Sequence, residues 1–295
     1  MNILIAGGSG FLGTALTTAL EQDGHTVFIL TRRVPRRARH IQWDGKTTEG
    51  WGHLLDEMDA VINLTGHGLN HWPWTKSQKQ KFLDSRILPG LALVSAIKNA
   101  SRRPRVFLQT SGINHYGLRG EMADESTPPA DDFLAQLTVQ WEASTQPLEK
   151  LGVRRVITRN AVILARQGGM FPLMALPVRL FFGGRFGDGK QAMPWIHLAD
   201  YVGAVRFLLE KETARGPFNL IAPMPTSNDA FMHTIAKVLK RPHWFHIPSF
   251  LLRIPLGEMS ILLTEGRYAQ PKRLLELGYQ FKFPTIESAL SDILH

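Results

Sequence analysis

Apolar positions along the first 164 residues switch between two periods. Asn2–Ala6 is a short apolar run with β-branched Ile3 and Ile5, which predicts a buried strand. From Phe11 the spacing becomes helical through Leu12, Ala15, Leu16, Ala19 and Leu20, and Gly24 closes that helix. Thr26–Leu30 is again strand-like. The alternation continues with strands over 40–43, 59–64, 106–110 and 155–164, and with helices over 51–57, 77–99 and 133–151. Ser111–Gly117 and 121–132 read as loops. Strands alternating with helices require a parallel sheet covered on both faces, so the predicted class is α/β with a Rossmann-type doubly wound sheet.

The pattern breaks after Arg166. An apolar stretch runs through Phe182, and the glycine-rich 183–189 predicts a mobile excursion over the sheet. Trp195-Ile196-His197 opens a helix that runs from Asp200 to Leu209, and 218–220 is a returning strand. Helices over 226–239 and most of 250–263, a strand over 244–247, and a tail with two short helices around GYQFKFP form a small C-terminal substrate lobe. The expected division is 1–165 with about 195–221 for the dinucleotide-binding domain, and about 166–194 with 222–295 for the lobe.

Between the first strand and helix stand Gly7, Gly10 and Gly13, at the spacing G-x-x-G-x-x-G. The first glycine permits a sharp turn, the second a close approach of pyrophosphate, and the third tight helix packing. Backbone N–H groups of Ser9, Phe11 and Leu12 stand at the helix start, where anions bind. After the second strand an NAD site needs a carboxylate for the ribose hydroxyls, but this chain has Thr31-Arg32-Arg33. Guanidinium groups bind a 2′-phosphate that a carboxylate would repel, so the expected cofactor is NADP(H) in preference to NAD(H). Arg36, Arg37 and Arg39 extend the basic run. Asn63, Leu64, Thr65 and Gly66 end a strand at the carboxyl edge of the sheet, which places them beside the cofactor.

Charge and cysteine content narrow the picture. The 295 residues carry a formal charge of +9, with basic residues in separate groups and no helix-turn-helix, zinc module or aromatic RNA-binding signature, so nucleic acid is not the expected partner. No cysteine is present, which removes disulfides and thiolate metal sites and fits a reducing cytoplasm. No apolar run reaches spanning length and the start lacks a charged n-region, so neither membrane nor export is expected. His67 with His71, and His243 with His246, have spacings a metal could use, but no carboxylates lie nearby in sequence, which points to surface or packing histidines and no metal.

GGSGFLG at 7–13, NLTG at 63–66, SR at 85–86, TS and YG within 110–117, FLAQLTVQWE at 133–142, GGMFP at 168–172, GDGKQAMPWIHLAD from 189 and PKRLLELGYQFKFPTIESAL from 271 cover almost the whole chain. Together they resemble the extended short-chain dehydrogenase/reductase family, within it the atypical epimerase family proteins. The resemblance implies a small-molecule substrate of anionic character, with Arg86, Arg159 and Arg185 as candidate contacts, and a homodimer through the long helices. It also implies a catalytic Tyr and Lys four residues apart, and their positions fall at Leu134 and Thr138. Ser111 and Tyr116 are the remaining candidates for proton transfer, with His115 and His197 as exposed and structural histidines. Two readings follow: an NADP-dependent oxidoreductase or sugar-nucleotide epimerase-like enzyme, and a non-catalytic NADP(H)-binding sensor or partner-binding protein.

Overall fold

A computed structural model describes residues 1–35 and 37–295; Arg36 of the basic run lies outside the described residues. The first apolar run is β1 (Asn2–Ala6), the helical stretch α1 (Phe11–Gln22) and the next run β2 (Thr26–Thr31). β3 (His40–Gln42), β4 (Ala60–Asn63), α2 (Lys76–Asn99) and β5 (Val106–Gly112) follow. The period-2 rule sorts β1 cleanly. Ile3 and Ile5 join Leu16 and Leu20 of α1 in one core, while Leu4 and Ala6 face Leu93 and Ile97 of α2 in another.

α3 (Phe133–Ala143) starts on Asp132, whose carboxylate accepts from the N–H groups of Leu134 and Ala135. The helix predicted through Leu151 instead breaks after Ala143, and α4 (Pro147–Lys150) restarts it with proline in its first turn. The apolar run from 154 also divides, into β6 (Arg154–Asn160) and β7 (Val162–Leu164). Asn160 is the last residue of β6 opposite Gly112 of β5, so the ladder has no further partner there. β5 also runs past Thr110, which takes Ser111 into the sheet rather than a loop.

α5 (Phe171–Arg179) precedes β8 (Gly184–Phe186), and β9 (Trp195–His197) precedes α6 (Leu198–Glu210) and β10 (Gly216–Leu220). Residues 195–197 are therefore a strand, paired with β7, rather than the opening of a helix. α7 (Asn228–Leu239), β11 (Phe245–Ile247), α8 (Ser249–Leu256), α9 (Ile261–Thr264), α10 (Lys272–Glu276) and α11 (Ile286–Leu294) complete the chain. The glycine-rich 183–189 is not an excursion over the sheet: β8 pairs with β11, and the Asn228 amide oxygen accepts from the Phe186 N–H.

Seven parallel strands form the central sheet in the order β10-β6-β5-β4-β1-β2-β3, the Rossmann-type architecture. A second core gathers α5, α7 and α11 around Trp195 and Phe231. Buried Asp200 ties the two together by accepting the N–H groups of Lys282 and Phe283 at 2.7 and 2.9 Å. His197 accepts from the Ala199 N–H as the cap of α6 and stacks on Phe283 at 3.9 Å.

Candidate functional site

The turn after β1 is built for close backbone approach. Gly7 has φ of 82°, a conformation glycine adopts without strain. At Gly13 a Cβ would lie 2.5 Å from the Gly8 Cα and 2.6 Å from the Gly7 carbonyl oxygen, so only glycine lets α1 pack on its own turn. Gly10 caps α1 with no side-chain hydrogen bond and the first helical turn holds no acidic residue. The first N–H groups are thus free for an anion, and the cradle fits a pyrophosphate.

A cleft of about 770 Å³ opens along the carboxyl edge of β1, β2 and β4. Gly7, Ser9, Gly10, Thr31, Arg32, Arg33, Leu64, Thr65 and Gly66 all line it, so most of the expected cofactor residues come together. Phe11, Leu12, Gly13 and Asn63 do not line the cleft, although Phe11 and Leu12 open α1 directly after the lining residue Gly10. The Phe11 ring packs against Gly168 and Gly169, and Leu12 packs on the core. Buried Asn63 accepts from the Thr65 N–H at 3.1 Å and hydroxyl at 2.6 Å, which shapes the turn. Ser9 and Thr31 share a hydroxyl–hydroxyl bond of 2.9 Å, and Thr31 also accepts the Arg33 N–H.

The opposite wall was not foreseen: Asp44 and Lys46 after β3, and Lys81, Asp84 and Ser85 on α2. Asp44 accepts from the N–H groups of Lys46 and Thr47, which hold its carboxyl below the usual range, and Asp84 accepts from Gln80 at 2.7 Å. Both carboxylates are engaged within their own turns. Arg32, Arg33, Lys46 and Lys81 leave the cleft with a cationic character.

Beside this cleft, where β5 and β6 meet α3, lies a buried polar network. Glu142 is clamped by Arg159 through Nε and Nη2, both at 2.8 Å, and accepts the Ser111 hydroxyl at 2.7 Å. Arg159 Nη1 donates to the Tyr116 oxygen at 2.9 Å, and Tyr116 donates to the Asn219 amide oxygen at 2.7 Å. Burial raises the Glu142 carboxyl, but the Arg159 bonds and charge outweigh it and hold the group below its ordinary value. Burial pushes the Tyr116 phenol up to about 12. His115, expected at the surface, is buried instead, with Nδ1 3.4 Å from the Thr138 hydroxyl and 3.8 Å from Glu142. Its pKa is pushed down to about 4 by burial and the Arg159 charge. Leu134 is buried with Trp74, Phe82 and Leu137.

The three candidate substrate arginines do not converge. Arg159 belongs to the network just described. Arg86 is buried over the Trp141 ring at 4.8 Å, donates to the carbonyls of His67 and Phe82 at 3.0 Å, and is pushed down to about 10 by burial. Arg185 is exposed on β8. Among the described residues no group of three metal-ligating side chains occurs. His67 stacks on His71 at 3.9 Å, and His246 contacts the Gly187 carbonyl.

The sheet and its glycine turn define a Rossmann-type, NAD(P)-binding fold. The chain belongs to the NAD dependent epimerase/dehydratase family, whose model matches residues 3–220, and a domain of unknown function, DUF1731, matches 247–293. It is 36% identical over 302 residues to the epimerase family protein YfhF of Bacillus subtilis (strain 168), covering 100% of this chain and 98% of that one. The crystal structure of human epimerase family protein SDR39U1 (isoform2) with NADPH matches at TM-score 0.93 and 34% identity, over 99% of each chain. The nucleoside-diphosphate sugar epimerase from Corynebacterium glutamicum matches at TM-score 0.80 and 28% identity, over all of this chain and 58% of that one. The resemblance to atypical extended short-chain dehydrogenase/reductases is thereby borne out.

Proposed function

We propose that this protein binds NADP(H) in the cleft and acts as an epimerase-like oxidoreductase on a small molecule. The carrying observation is the cationic cleft itself, with Arg32 and Arg33 at the end of β2 where an NAD site needs a carboxylate. The NADPH bound to the human relative supports the same choice. When bound, the cofactor supplies hydride chemistry. The chain's own part is to seat the pyrophosphate on the N–H groups of α1 and to hold the 2′-phosphate by arginine.

Proton transfer falls to the residues at the adjoining strand edge. Ser111 and Tyr116 stand there, but their hydroxyl protons are committed to Glu142 and Asn219. Leu134 and Thr138 supply no phenol or ammonium at the positions the family uses. These observations favour slow or absent turnover of common sugar nucleotides, and they support a second reading as a non-catalytic NADP(H)-binding sensor. Calorimetric titration tests the first half: NADPH should bind more tightly than NADH, and equal affinities would refute the assignment. Single-turnover oxidation of bound NADPH by an added keto sugar nucleotide as hydride acceptor, parent against Tyr116→Phe and Ser111→Ala, tests the second. Slower oxidation places them in the chemistry; parent-like rates remove them from it.

A further inference from the structure

The C-terminal lobe exposes an apolar surface that the cofactor cleft does not use. α5 turns Leu173 and Leu176 outward, and Leu180 at its C-terminal cap is exposed beside them. The next residue, Phe181, holds φ of 68°, where bulky side chains rarely sit, and its half-exposed ring lies 4.3 Å from the Arg241 guanidinium. Phe182 stacks on Phe245 at 5.5 Å, and Trp244 beside it is 73% exposed. The β8–β11 pairing and a Trp244 N–H bond to the Gly183 carbonyl hold these segments side by side. The chain then enters α8, where Phe250 and Ile254 are 62% and 77% exposed and none of the eight residues is buried. A helix so short has no stability of its own in water, and clustered exposed aromatics mark a docking face.

Charge selects the occupant. Residues 170–187 and 237–257 contain Arg179, Arg185, Lys237, Lys240, Arg241 and Arg253; the carboxylates beside them are Asp188 and Glu258, which directly follow, and Asp229, 3.7 Å from His243, so cations are in excess. A second copy meeting this face through a two-fold axis would set these cations against themselves. A protein partner would have to desolvate Lys237 and Lys240, a residue type that interfaces disfavour, and supply a carboxylate for each cation. An anionic bilayer surface satisfies both halves: Trp and Phe rest at the headgroup boundary while lysine and arginine meet lipid phosphates. Among the described residues no helix is long and apolar enough to cross a membrane, so the contact is peripheral.

We propose that this face docks the protein on the surface of anionic membranes. The test is co-sedimentation of the full chain with vesicles of mixed phosphatidylglycerol and phosphatidylcholine, against vesicles of phosphatidylcholine alone. The protein should pellet with the mixed vesicles and be released by salt. Lys240→Glu with Arg241→Glu should lower partitioning by about fivefold per lost cation, before any added repulsion. Trp244→Ser with Ile254→Ser should abolish partitioning. Every altered position is at the surface, and NADPH affinity should be unchanged, which reports folding and separates this proposal from the cofactor reading. Three outcomes overturn it: no pelleting with mixed vesicles, pelleting unaffected by both double variants, or a dimer in sedimentation velocity that Trp244→Ser dissolves.

Discussion

Two stretches of one sheet edge hold their polar groups in opposite states. At β1, β2 and β4 the glycine turn that leads into α1 and the side chains of Arg32, Arg33, Lys46 and Lys81 open onto a cleft. At β5 and β6, Ser111, Glu142, Arg159, Tyr116 and Asn219 bond to one another below the surface. Uncommitted donors mark a surface prepared for a ligand, whereas committed donors brace the fold. Residue type alone ranks Arg32 and Arg159 alike as anion binders. Their hydrogen-bond partners separate them.

The largest effect should come from breaking the braced side. Arg159→Met leaves the Glu142 carboxylate buried without its cation, which should cost about 3–5 kcal/mol of stability. Glu142→Leu in the same chain should return much of that loss. Thermal unfolding of the three proteins checks this, and an unchanged midpoint in Arg159→Met would show that the pair does not brace the fold. NADPH affinity of the folded fraction should stay near the parent's.

The open side should fail differently. In Gly13→Ala the added Cβ meets the Gly8 backbone at 2.5 Å, and backbone cannot swing aside as a side chain can. The displacement should cost up to about 3 kcal/mol and move the phosphate turn, so stability and NADPH binding fall together. At Gly10 a Cβ has only the Gly7 carbonyl within reach, at 3.3 Å. Gly10→Val should therefore keep the fold, by circular dichroism, yet lose NADPH. Normal binding by that variant would mean that the turn is not a phosphate cradle.

The contrast also explains what could be read from the sequence. β1, α1, β2 and the turn at 63–66 are local structures whose apolar period and glycine spacing lie within short windows, and they came out nearly whole. β8 and β9 are three-residue strands held by a distant partner, so 183–189 resembled an excursion and Trp195–His197 a helix start, whereas β11 showed in the apolar run 244–247. The far wall of the cleft was hidden for the same reason, since Lys46 and Lys81 meet Arg32 only through the fold. The Glu142–Arg159 pair did leave a sequence signal. An arginine inside an apolar strand requires a counter-charge, and α3 carries a single acidic residue, Glu142.

Arg32→Ala sharpens the open side alone. Losing one charge-assisted bond to a 2′-phosphate should remove about 1–3 kcal/mol of the preference for NADPH over NADH. The affinity for NADH and the unfolding midpoint should hardly move, because Arg32 is exposed. A variant with undiminished preference would shift the role to Arg33, Lys46 or Lys81.

Acid should separate the two sides by a smaller margin. Burial and the Arg159 charge hold His115 at about 4 against an ordinary 6.5, with Glu142 pulling the other way. Between those values the unfolded chain binds a proton that the folded chain refuses. The His115 contribution is therefore complete above pH 6.5 and drains away as pH falls toward 4. His67, His197 and His243 are lowered too, first by burial, so a comparison with His115→Gln is needed to isolate one group. After allowing for partial hydration, the parent should lose about 1 kcal/mol more than the variant between neutral pH and about pH 5. Denaturant melts at the two pH values measure that difference. Equal losses would mean that water reaches the imidazole, and that the β5–β6 end of the edge is more open than its hydrogen bonds imply.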